Sequence, residues 1–172
     1  MPTSPTYADF SIKARCVSPQ LIERKLKELS AYFAGEDLQT DTYFKVPVGK
    51  LKLREGNIEN LLTHYLREER EGMMKTTVFL YERDPSDAQK QQYTGSLPVV
   101  GKVIKSRKIY WIDNVKFHVD RFPDTRTFVE IEAIDREGSL GIELISHQAA
   151  KYKQLLLIRE EDILKGSYID MA

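Results

Sequence analysis

The fold is decided by Thr127–Ala133, which reads TFVEIEA and alternates charged with apolar residues from its third position onward. In an extended chain, Val129 and Ile131 fall on one face, and Glu130 and Glu132 fall on the other. Sustained alternation with a period of two predicts a β-strand. The same pattern recurs along most of the sequence, which therefore predicts a mainly β protein.

Similar alternation predicts strands on both sides of this segment. We expect them at Asp9–Cys16, Gln39–Lys45, Lys50–Arg54, Asn60–Glu68, Lys75–Tyr81, Val99–Lys105, Lys108–Ile112 and Val115–Arg121. Helix signals predict helices that begin at Ser18-Pro19, that cover Asp84 to about Tyr93, and that cover Leu140–Leu157. Eight or nine sequential strands joined by short turns tend to close into an antiparallel barrel, since closure removes exposed edges. The prediction is a single domain over residues 1–172, mainly β, with helices flanking a closed antiparallel β-barrel.

Composition excludes several classes of protein. The 26 basic and 26 acidic residues balance, which gives no support for wholesale binding to nucleic acid or to a membrane. Cys16 is the single cysteine, so an intrachain disulfide and a multi-cysteine zinc site are excluded, and a buried apolar role is expected for it. The first residues lack the features of a signal peptide, and no apolar run approaches the ~20 residues of a spanning helix. We therefore expect a cytoplasmic protein.

Charge sign is segregated by strand. Basic pairs two positions apart occur at Lys13/Arg15, Lys52/Arg54 and Lys105/Arg107, whereas Glu130/Glu132 is an acidic pair. One interpretation is the solvated outer face of a half-exposed sheet, on which charges commonly alternate with apolar residues. The other is an internal anion site, because like charges on neighbouring strands repel unless an anion lies between them. Such a site suits a polyphosphate, since Arg offers paired donors and Lys a point charge.

Carboxylates provide candidate ligands for a metal that would accompany a polyphosphate. Mg²⁺ prefers one or two carboxylates together with phosphate oxygens and waters. Glu130 and Glu132 lie on one strand face and can reach one metal or a neighbouring pair, and Asp9 and Asp120 are further candidates. His118 shares a face with Asp120, and both a general base and a positioning or solvated role remain open for it.

Several runs in register resemble the CYTH family, also called the triphosphate tunnel metalloenzymes, and its class IV adenylyl cyclase-like branch, which includes thiamine triphosphatase relatives. The resemblance extends over nearly the whole chain, through Gln39–Phe44, Gly49–Glu55, Tyr65–Arg67, Val103–Arg107, Val115–Asp120, Phe128–Glu132 and Gly166–Met171. It implies an eight-stranded antiparallel closed barrel with a charged lumen, which agrees with the segregation of charge.

The resemblance also implies roles for individual residues. The implied phosphate-binding residues are Lys13, Arg15, Lys52, Arg54, Arg67, Lys105 and Arg107. The implied ligands of Mg²⁺ or Mn²⁺ are Glu130, Glu132 and Asp9, and the implied catalytic residues are Lys13 and Asp120.

The first strand departs from the family's E-x-E-x-K pattern. It reads Asp9-Phe10-Ser11-Ile12-Lys13, so the first carboxylate is one methylene shorter and the second is replaced by a hydroxyl. Ser11 cannot supply an anionic ligand, and Mg²⁺ requires near-ideal octahedral geometry. This departure should weaken the metal site and leave phosphate binding intact.

Two functions from different classes follow. The first is a metal-dependent enzyme acting on a nucleoside triphosphate, thiamine triphosphate or inorganic polyphosphate, either as a cyclase that makes cyclic AMP from ATP or as a triphosphatase. The second is a non-catalytic binder of nucleotide or polyphosphate with a degenerate metal site at Asp9 and Ser11. A plain β scaffold with solvated charges is a third interpretation, and a homodimer remains open.

Overall fold

The computed structural model describes residues 6–171. The strands are β1 (Tyr7–Arg15), β2 (Tyr32–Phe44), β3 (Lys50–Glu55), β4 (Asn60–Arg70), β5 (Met73–Arg83), β6 (Val99–Ile112), β7 (Val115–Arg121), β8 (Thr127–Asp135) and β9 (Ile163–Leu164). The α-helices are α1 (Pro19–Glu28), α2 (Asp87–Thr94) and α3 (Ile142–Leu155), and short 3₁₀ turns cover Glu160–Asp162 and Tyr168–Met171. None of the helices within residues 6–171 has the length and apolar character needed to cross a membrane.

The eight long strands form a closed antiparallel ring. Its order is β5-β4-β3-β2-β6-β7-β8-β1, and β1 also pairs with β5, which completes the circle. The contact between β1 and β5 covers Tyr7 to Ser11, and the two residues of β9 pair with Lys13 and Ala14 beyond it. Both edges of β1 are thus occupied along most of its length. The predicted fold class, an eight-stranded closed antiparallel sheet with flanking helices, is confirmed.

The main hydrophobic core lies outside the ring, between the strands and two helices. Phe10 and Ile12 of β1 and Ile131 of β8 pack under Leu26 of α1 and Ile145 of α3, and all five are at most 2% exposed. Strand side chains alternate between faces, so residues of the opposite parity must point into the ring. Apolar packing on the outside therefore leaves the lumen to polar and charged side chains.

A second apolar cluster covers another part of the outer surface. Leu51, Leu53 and Leu62 of β3 and β4 pack beneath the segment that contains α2. This helix begins with a capping box, in which the Ser86 hydroxyl accepts from the backbone of Gln89 while the Gln89 side chain accepts from the backbone of Ser86. Reciprocal bonds of this kind satisfy two amide donors that a helix start otherwise leaves free.

One predicted boundary is wrong. Two strands were expected at Val99–Lys105 and Lys108–Ile112, but β6 is continuous over Val99–Ile112. It continues because Lys105 and Arg107 point into the lumen, where Asp41 and Asp120 neutralise them. The first partner, β2, is likewise longer than predicted and pairs with β6 along nearly its whole length. Cys16 is buried, as expected.

Leu26 should contribute strongly to stability, because its side chain is fully buried between α1 and the ring. We expect Leu26→Ala to lower the free energy of unfolding by about 2–5 kcal/mol, the range for buried Leu→Ala changes. Leu21 lies on the same helix and is 40% exposed, so Leu21→Ala is a matched control that should change it by about 0.5 kcal/mol or less. Urea denaturation measures the free energy of unfolding of both variants. Equal losses in Leu26→Ala and Leu21→Ala would contradict the position of the main core between the helices and the outside of the ring.

Candidate functional site

A cavity runs through the lumen of the ring and carries an excess of positive charge. Its basic lining residues are Lys13, Lys52, Arg54, Arg67, Lys105, Arg107, Lys116 and Arg136. Its acidic lining residues are Asp9, Asp41, Glu130 and Glu132. The whole chain has no net formal charge. The lumen differs from this average, because eight basic and only four acidic side chains line it.

Asp41 of β2 fixes two of these cations. Its carboxylate accepts two hydrogen bonds from Arg54, both at 2.9 Å, and one from the Lys105 ammonium at 2.8 Å. Burial alone would raise the pKa of Asp41, but the charges of Arg54 and Lys105 hold it well below its ordinary value. The carboxylate is ionised at neutral pH and acts as the anchor of the basic cluster.

Asp120 of β7 anchors the third member of that cluster. Its two oxygens accept from Arg107 at 2.8 and 2.9 Å, and Oδ2 also accepts from the Tyr168 hydroxyl at 2.6 Å. Although burial acts in the opposite direction, Arg107 lowers the pKa of Asp120 to about 2. Asp120 is absent from the cavity lining. Its geometry suits orientation of Arg107 rather than transfer of a proton.

Glu59 supplies a further acidic contact that strand alternation did not identify. Its Oε1 accepts from Arg54 Nη1 at 3.0 Å, and its Oε2 accepts from the Lys116 ammonium. Glu59 lies just before β4, where no period-two pattern marks it. Asp41 did fall within a predicted strand, and the available signal was a carboxylate at the centre of that strand, on the same face as Gln39 and Tyr43.

Within residues 6–171, four of the eight basic lining residues have no acidic partner: Arg136, which is exposed, and the three residues Lys13, Lys52 and Arg67. Within residues 6–171, no carboxylate oxygen lies within 4 Å of the charged groups of Lys13, Lys52 or Arg67. Lys13 Nζ instead lies 3.8 Å from the centroid of the Tyr168 ring, and Arg67 donates to the Thr76 hydroxyl at 3.1 Å. Burial lowers the pKa of Lys13 to about 8. Burial also lowers the pKa of Lys52 well below its ordinary value. Arg67 therefore presents a fixed positive charge to the cavity, whereas a bound anion would favour the charged forms of Lys13 and Lys52.

The three predicted metal ligands lie in the same cavity. Asp9 is 4% exposed, and its Oδ1 has no hydrogen-bond partner among the described residues. Burial, followed by the charge of Glu132, raises the pKa of Asp9 well above its ordinary value. Glu130 Oε1 lies 2.9 Å from His118 Nδ1, which is hydrogen-bond distance, and 3.8 Å from Arg107 Nη2.

A divalent cation fits this donor set. Single donor atoms of His118, Glu130 and Glu132 lie within 4.8 Å of one another. The buried, unpartnered oxygen of Asp9 adds a further hard donor beside Glu132. Uncompensated buried carboxylates are costly unless they are paired or coordinate a metal, so the residues present match the requirement for a bound cation.

Two residues of β1, Ser11 and Arg15, differ from what the family resemblance implies. Ser11 is buried between Asp9 and Lys13 on the strand and pairs in register with Glu132. Arg15 was expected to line the lumen, but it is exposed and is absent from the cavity lining. It has inward parity, yet it lies at the last position of β1 opposite Phe128, beyond the end of the lumen.

The two ends of the lumen differ. Ser167 and Tyr168 line one end, where Tyr168 packs against Phe122 and Phe128. At the other end, the Arg136 guanidinium lies 4.9 Å from the Tyr7 ring centroid and 5.1 Å from that of Tyr81.

Trp111 lies near the same aromatic end, with the Lys116 ammonium 5.6 Å from its ring. The preceding residue, Tyr110, points outward and its hydroxyl donates to Glu23 of α1. An aromatic rim that carries cations thus surrounds one entrance.

Solved structures with the same fold span almost the entire chain. A protein of Pyrococcus horikoshii OT3 (PH1012) is 28% identical with a TM-score of 0.71, and the match covers 94% of this chain and 98% of that one. A candidate adenylate cyclase from Vibrio parahaemolyticus is 16% identical with a TM-score of 0.74, covering 98% and 100%. HpAC1 from Hippeastrum, a candidate adenylyl cyclase with a dominant triphosphatase activity, is 16% identical with a TM-score of 0.60, covering 95% and 94%.

Sequence comparison agrees with the structural matches. No curated protein sequence matches the chain significantly. The family model for the CYTH domain matches residues 12–167, which include all eight strands of the ring in whole or in part. The chain therefore belongs to the CYTH domain family.

Proposed function

We propose that the protein is a metal-dependent enzyme that acts on a triphosphate, either as a class IV adenylyl cyclase-like enzyme or as a triphosphatase. The observation that carries this proposal is the coexistence, in one lumen, of cations and carboxylates that have no ionic partner within residues 6–171: Lys13, Lys52 and Arg67 on one side, and Asp9 and Glu132 on the other. Lys13 and Glu130 are direct neighbours across β1 and β8, yet no ion pair joins them. A cation and an anion bound together, such as a metal triphosphate, would satisfy both sets.

Phosphate binding would rest first on the three unpaired cations. Within residues 6–171, no carboxylate lies within 4 Å of Lys13, Lys52 or Arg67, so a phosphate can engage them without breaking an existing ion pair. Charge-assisted hydrogen bonds to phosphate are among the stronger ones in proteins. Asp41 holds Arg54 and Lys105, and Asp120 holds Arg107. The remaining N–H donors of these three basic residues would form a cationic wall that is already oriented towards the phosphates.

Pre-orientation matters for the chemistry. Cationic groups that are already fixed where charge develops need no reorganisation during the reaction. Bidentate contacts from Asp41 to Arg54 and from Asp120 to Arg107 provide such fixation. These residues would stabilise the negative charge that builds on phosphoryl oxygens during in-line displacement.

Glu130, Glu132 and Asp9 would hold the divalent cation, Mg²⁺ or Mn²⁺, together with phosphate oxygens. When bound, such a cation neutralises charge on the reacting phosphoryl group and helps to align it. In a cyclase, the ribose 3′-hydroxyl attacks the α-phosphorus and releases pyrophosphate. In a triphosphatase, water attacks the terminal phosphorus. Both reactions use the same cationic wall.

The aromatic rim favours a triphosphate that carries an organic group. Tyr7, Tyr81 and Trp111 surround one entrance, and aromatic faces of this kind are suited to stack a heterocycle. Arg136 between the two tyrosine rings favours a neutral base over a positively charged thiazolium. The substrate range tested should therefore contrast nucleoside triphosphates with thiamine triphosphate and inorganic tripolyphosphate.

The alternative function is a binder of nucleotide or polyphosphate that has lost turnover. Ser11 favours it, because a buried hydroxyl stands opposite Glu132 where the family places a second carboxylate. This alternative retains the cationic lumen and differs only in the strength of the metal site.

Catalysis separates the two functions. Wild-type protein incubated with ATP, thiamine triphosphate or tripolyphosphate and Mg²⁺ or Mn²⁺ should release phosphate, or form cyclic AMP from ATP. We expect Glu130→Ala to lower the rate by about 10- to 100-fold or more, since even outer partners of a metal site contribute that much.

Retained triphosphate binding without any product above the Glu130→Ala level would contradict the enzyme and support the binder. In that case Ser11→Glu serves as the second variant. Activity created by this substitution would localise the loss to position 11.

Lys52 should contribute to triphosphate affinity, because it has no carboxylate within 4 Å in residues 6–171 and a bound anion would favour its ammonium form over the neutral form that burial promotes. We expect Lys52→Met to weaken tripolyphosphate binding by about 10- to 100-fold, which corresponds to one charge-assisted hydrogen bond. Lys102 lies on β6 with its side chain exposed, so Lys102→Met is the matched control and should leave the Kd unchanged. Titration calorimetry measures both, and equal effects would place the binding surface outside the lumen.

Lys105 should make triphosphate affinity depend on pH. Burial, reinforced by Arg107 and Arg54, lowers its pKa to about 7. The ammonium is therefore charged below that pH and neutral above it, so affinity should fall as pH rises from 7 to 9.

Binding near pH 7.5 should also take up a proton, because the anion favours the charged lysine. Calorimetry in buffers of different ionisation enthalpy detects that uptake. Lys105→Met should reduce it and leave a smaller uptake by Lys13, whose pKa is about 8. Undiminished uptake in this variant would assign the proton to another group.

A further inference from the structure

The loop between β3 and β4 is fastened to β2 by hydrogen bonds to its backbone and side chains. The fully buried Asp37 carboxylate of β2 accepts from the amides of Ile58 at 2.8 Å and Glu59 at 3.0 Å. The Asn57 side chain accepts from the amide of Leu38 at 2.6 Å. These contacts fix the end of the loop, and with it Glu59, relative to the ring.

The Glu59 carboxylate neutralises two lumen cations that lie on different strands. Its Oε1 accepts from Arg54 Nη1 of β3 at 3.0 Å, and its Oε2 accepts from the Lys116 ammonium of β7. Gln39 Nε2 of β2 also lies 3.2 Å from Oε1 and donates to it. Although burial acts in the opposite direction, Lys116 and Arg54 hold the pKa of Glu59 well below its ordinary value. Glu59 is therefore an internal anion that occupies donors which an external anion would otherwise use.

Glu59 lies where the lumen opens towards the aromatic rim. Together with Trp111 it lines a vestibule outside the lumen, and Tyr81, Lys116 and Arg136 line both spaces. The two spaces are thus continuous, and Glu59 stands at their junction. A polyanion that extended from the lumen into the vestibule would meet this carboxylate.

Tyr168 restricts the opposite end of the lumen. Its ring centroid lies 3.8 Å from Lys13 Nζ and 5.6 Å from Lys105 Nζ, so the ring lies between cations of β1 and β6. Its hydroxyl donates to Asp120 at 2.6 Å, and its ring packs against Phe128. A chain of phosphates that the lumen cations hold therefore has its free direction towards Glu59.

A carboxylate at this junction opposes the binding of additional phosphates. A further phosphate would lie beside Glu59, and like charges repel strongly where water screens them poorly. It also could not bind the Lys116 ammonium without breaking the existing ion pair. Removal of the Glu59 charge would leave Lys116, whose side chain is 9% exposed, without compensation, and a phosphate would then relieve that unfavourable state.

We infer that Glu59 is a specificity-determining residue that confines the lumen to a triphosphate and rejects longer polyphosphates. This inference rests on the proposed function, because it specifies which anions the same lumen accepts. The vestibule then holds the uncharged part of a substrate, such as a sugar whose hydroxyls can donate to a carboxylate. Discrimination of this kind arises from an element that repels the wrong ligand, in addition to those that attract the right one.

Binding of inorganic tripolyphosphate and tetrapolyphosphate to the intact chain tests the inference without turnover. Titration calorimetry in the absence of divalent metal gives both affinities. In the wild type, tetrapolyphosphate should bind no more tightly than tripolyphosphate, despite its additional charge. Glu59→Gln should raise the affinity for tetrapolyphosphate relative to tripolyphosphate by about tenfold or more, because the released Lys116 then makes one charge-assisted hydrogen bond.

Two further variants assign the gain. Adding Lys116→Met to Glu59→Gln should remove it, since the cation that holds the extra phosphate is then absent. Glu55→Gln is the matched control, because Glu55 ends β3 with an exposed side chain that pairs with Lys90 at 3.4 Å. This control should leave the ratio of the two affinities unchanged. Circular dichroism verifies that each variant is folded.

The outcomes separate this inference from the proposed function. An affinity ratio that is the same in the wild type and in folded Glu59→Gln would overturn the inference and leave triphosphate binding in place. An equal gain in Glu55→Gln, or a gain that persists in the double variant, would also overturn it.

The wild type alone provides a test if substitution of Glu59 prevents folding. Tetrapolyphosphate that binds about tenfold more tightly than tripolyphosphate, as one added charge-assisted hydrogen bond would produce, contradicts the inference. Failure of the wild type to bind either anion would contradict both the triphosphate-binding lumen and the role of Glu59.

Discussion

The lumen depends on the ion pairs that two buried aspartates make with basic residues. Asp41 neutralises Arg54 and Lys105, and Asp120 neutralises Arg107. Without these carboxylates, the cations would repel one another in a region that water screens poorly. Breaking a buried pair by removing one partner commonly costs about 3–5 kcal/mol. The same two residues therefore permit a highly basic interior and fix the directions in which its donors point.

Strand alternation together with the family resemblance predicted most of this arrangement. Parity puts Lys13, Lys52 and Lys105 on the charged faces of their strands. Alternation alone left open whether those faces are solvated, and the resemblance implied that they line the lumen. Arg15 has the correct parity, but the place where the lumen ends depends on how the strands are staggered. The ion pair between Asp41 and Lys105 joins residues 64 positions apart and depends on β2 and β6 being neighbours. Pairing of this kind follows from strand order, which local patterns do not encode.

The proposed binding and turnover would draw on different parts of the same interior. The cationic wall is built from β1, β3, β4 and β6, whereas the candidate metal ligands Asp9, Glu130 and Glu132 lie on β1 and β8. A change at Ser11 could therefore alter one property and spare the other.

The pairing of β9 with β1 has a consequence for how the chain is made. Lys13 and Leu164 are about 150 residues apart, and β1 also waits for β8 before its other edge is covered. At a synthesis rate of about 5–20 residues per second, the first strand spends on the order of 10 s without its final neighbours. Such distant pairing is typical of slow folding. The apolar face of β1, which carries Phe10 and Ile12, thus lacks its final neighbours until residue 164 has been synthesised.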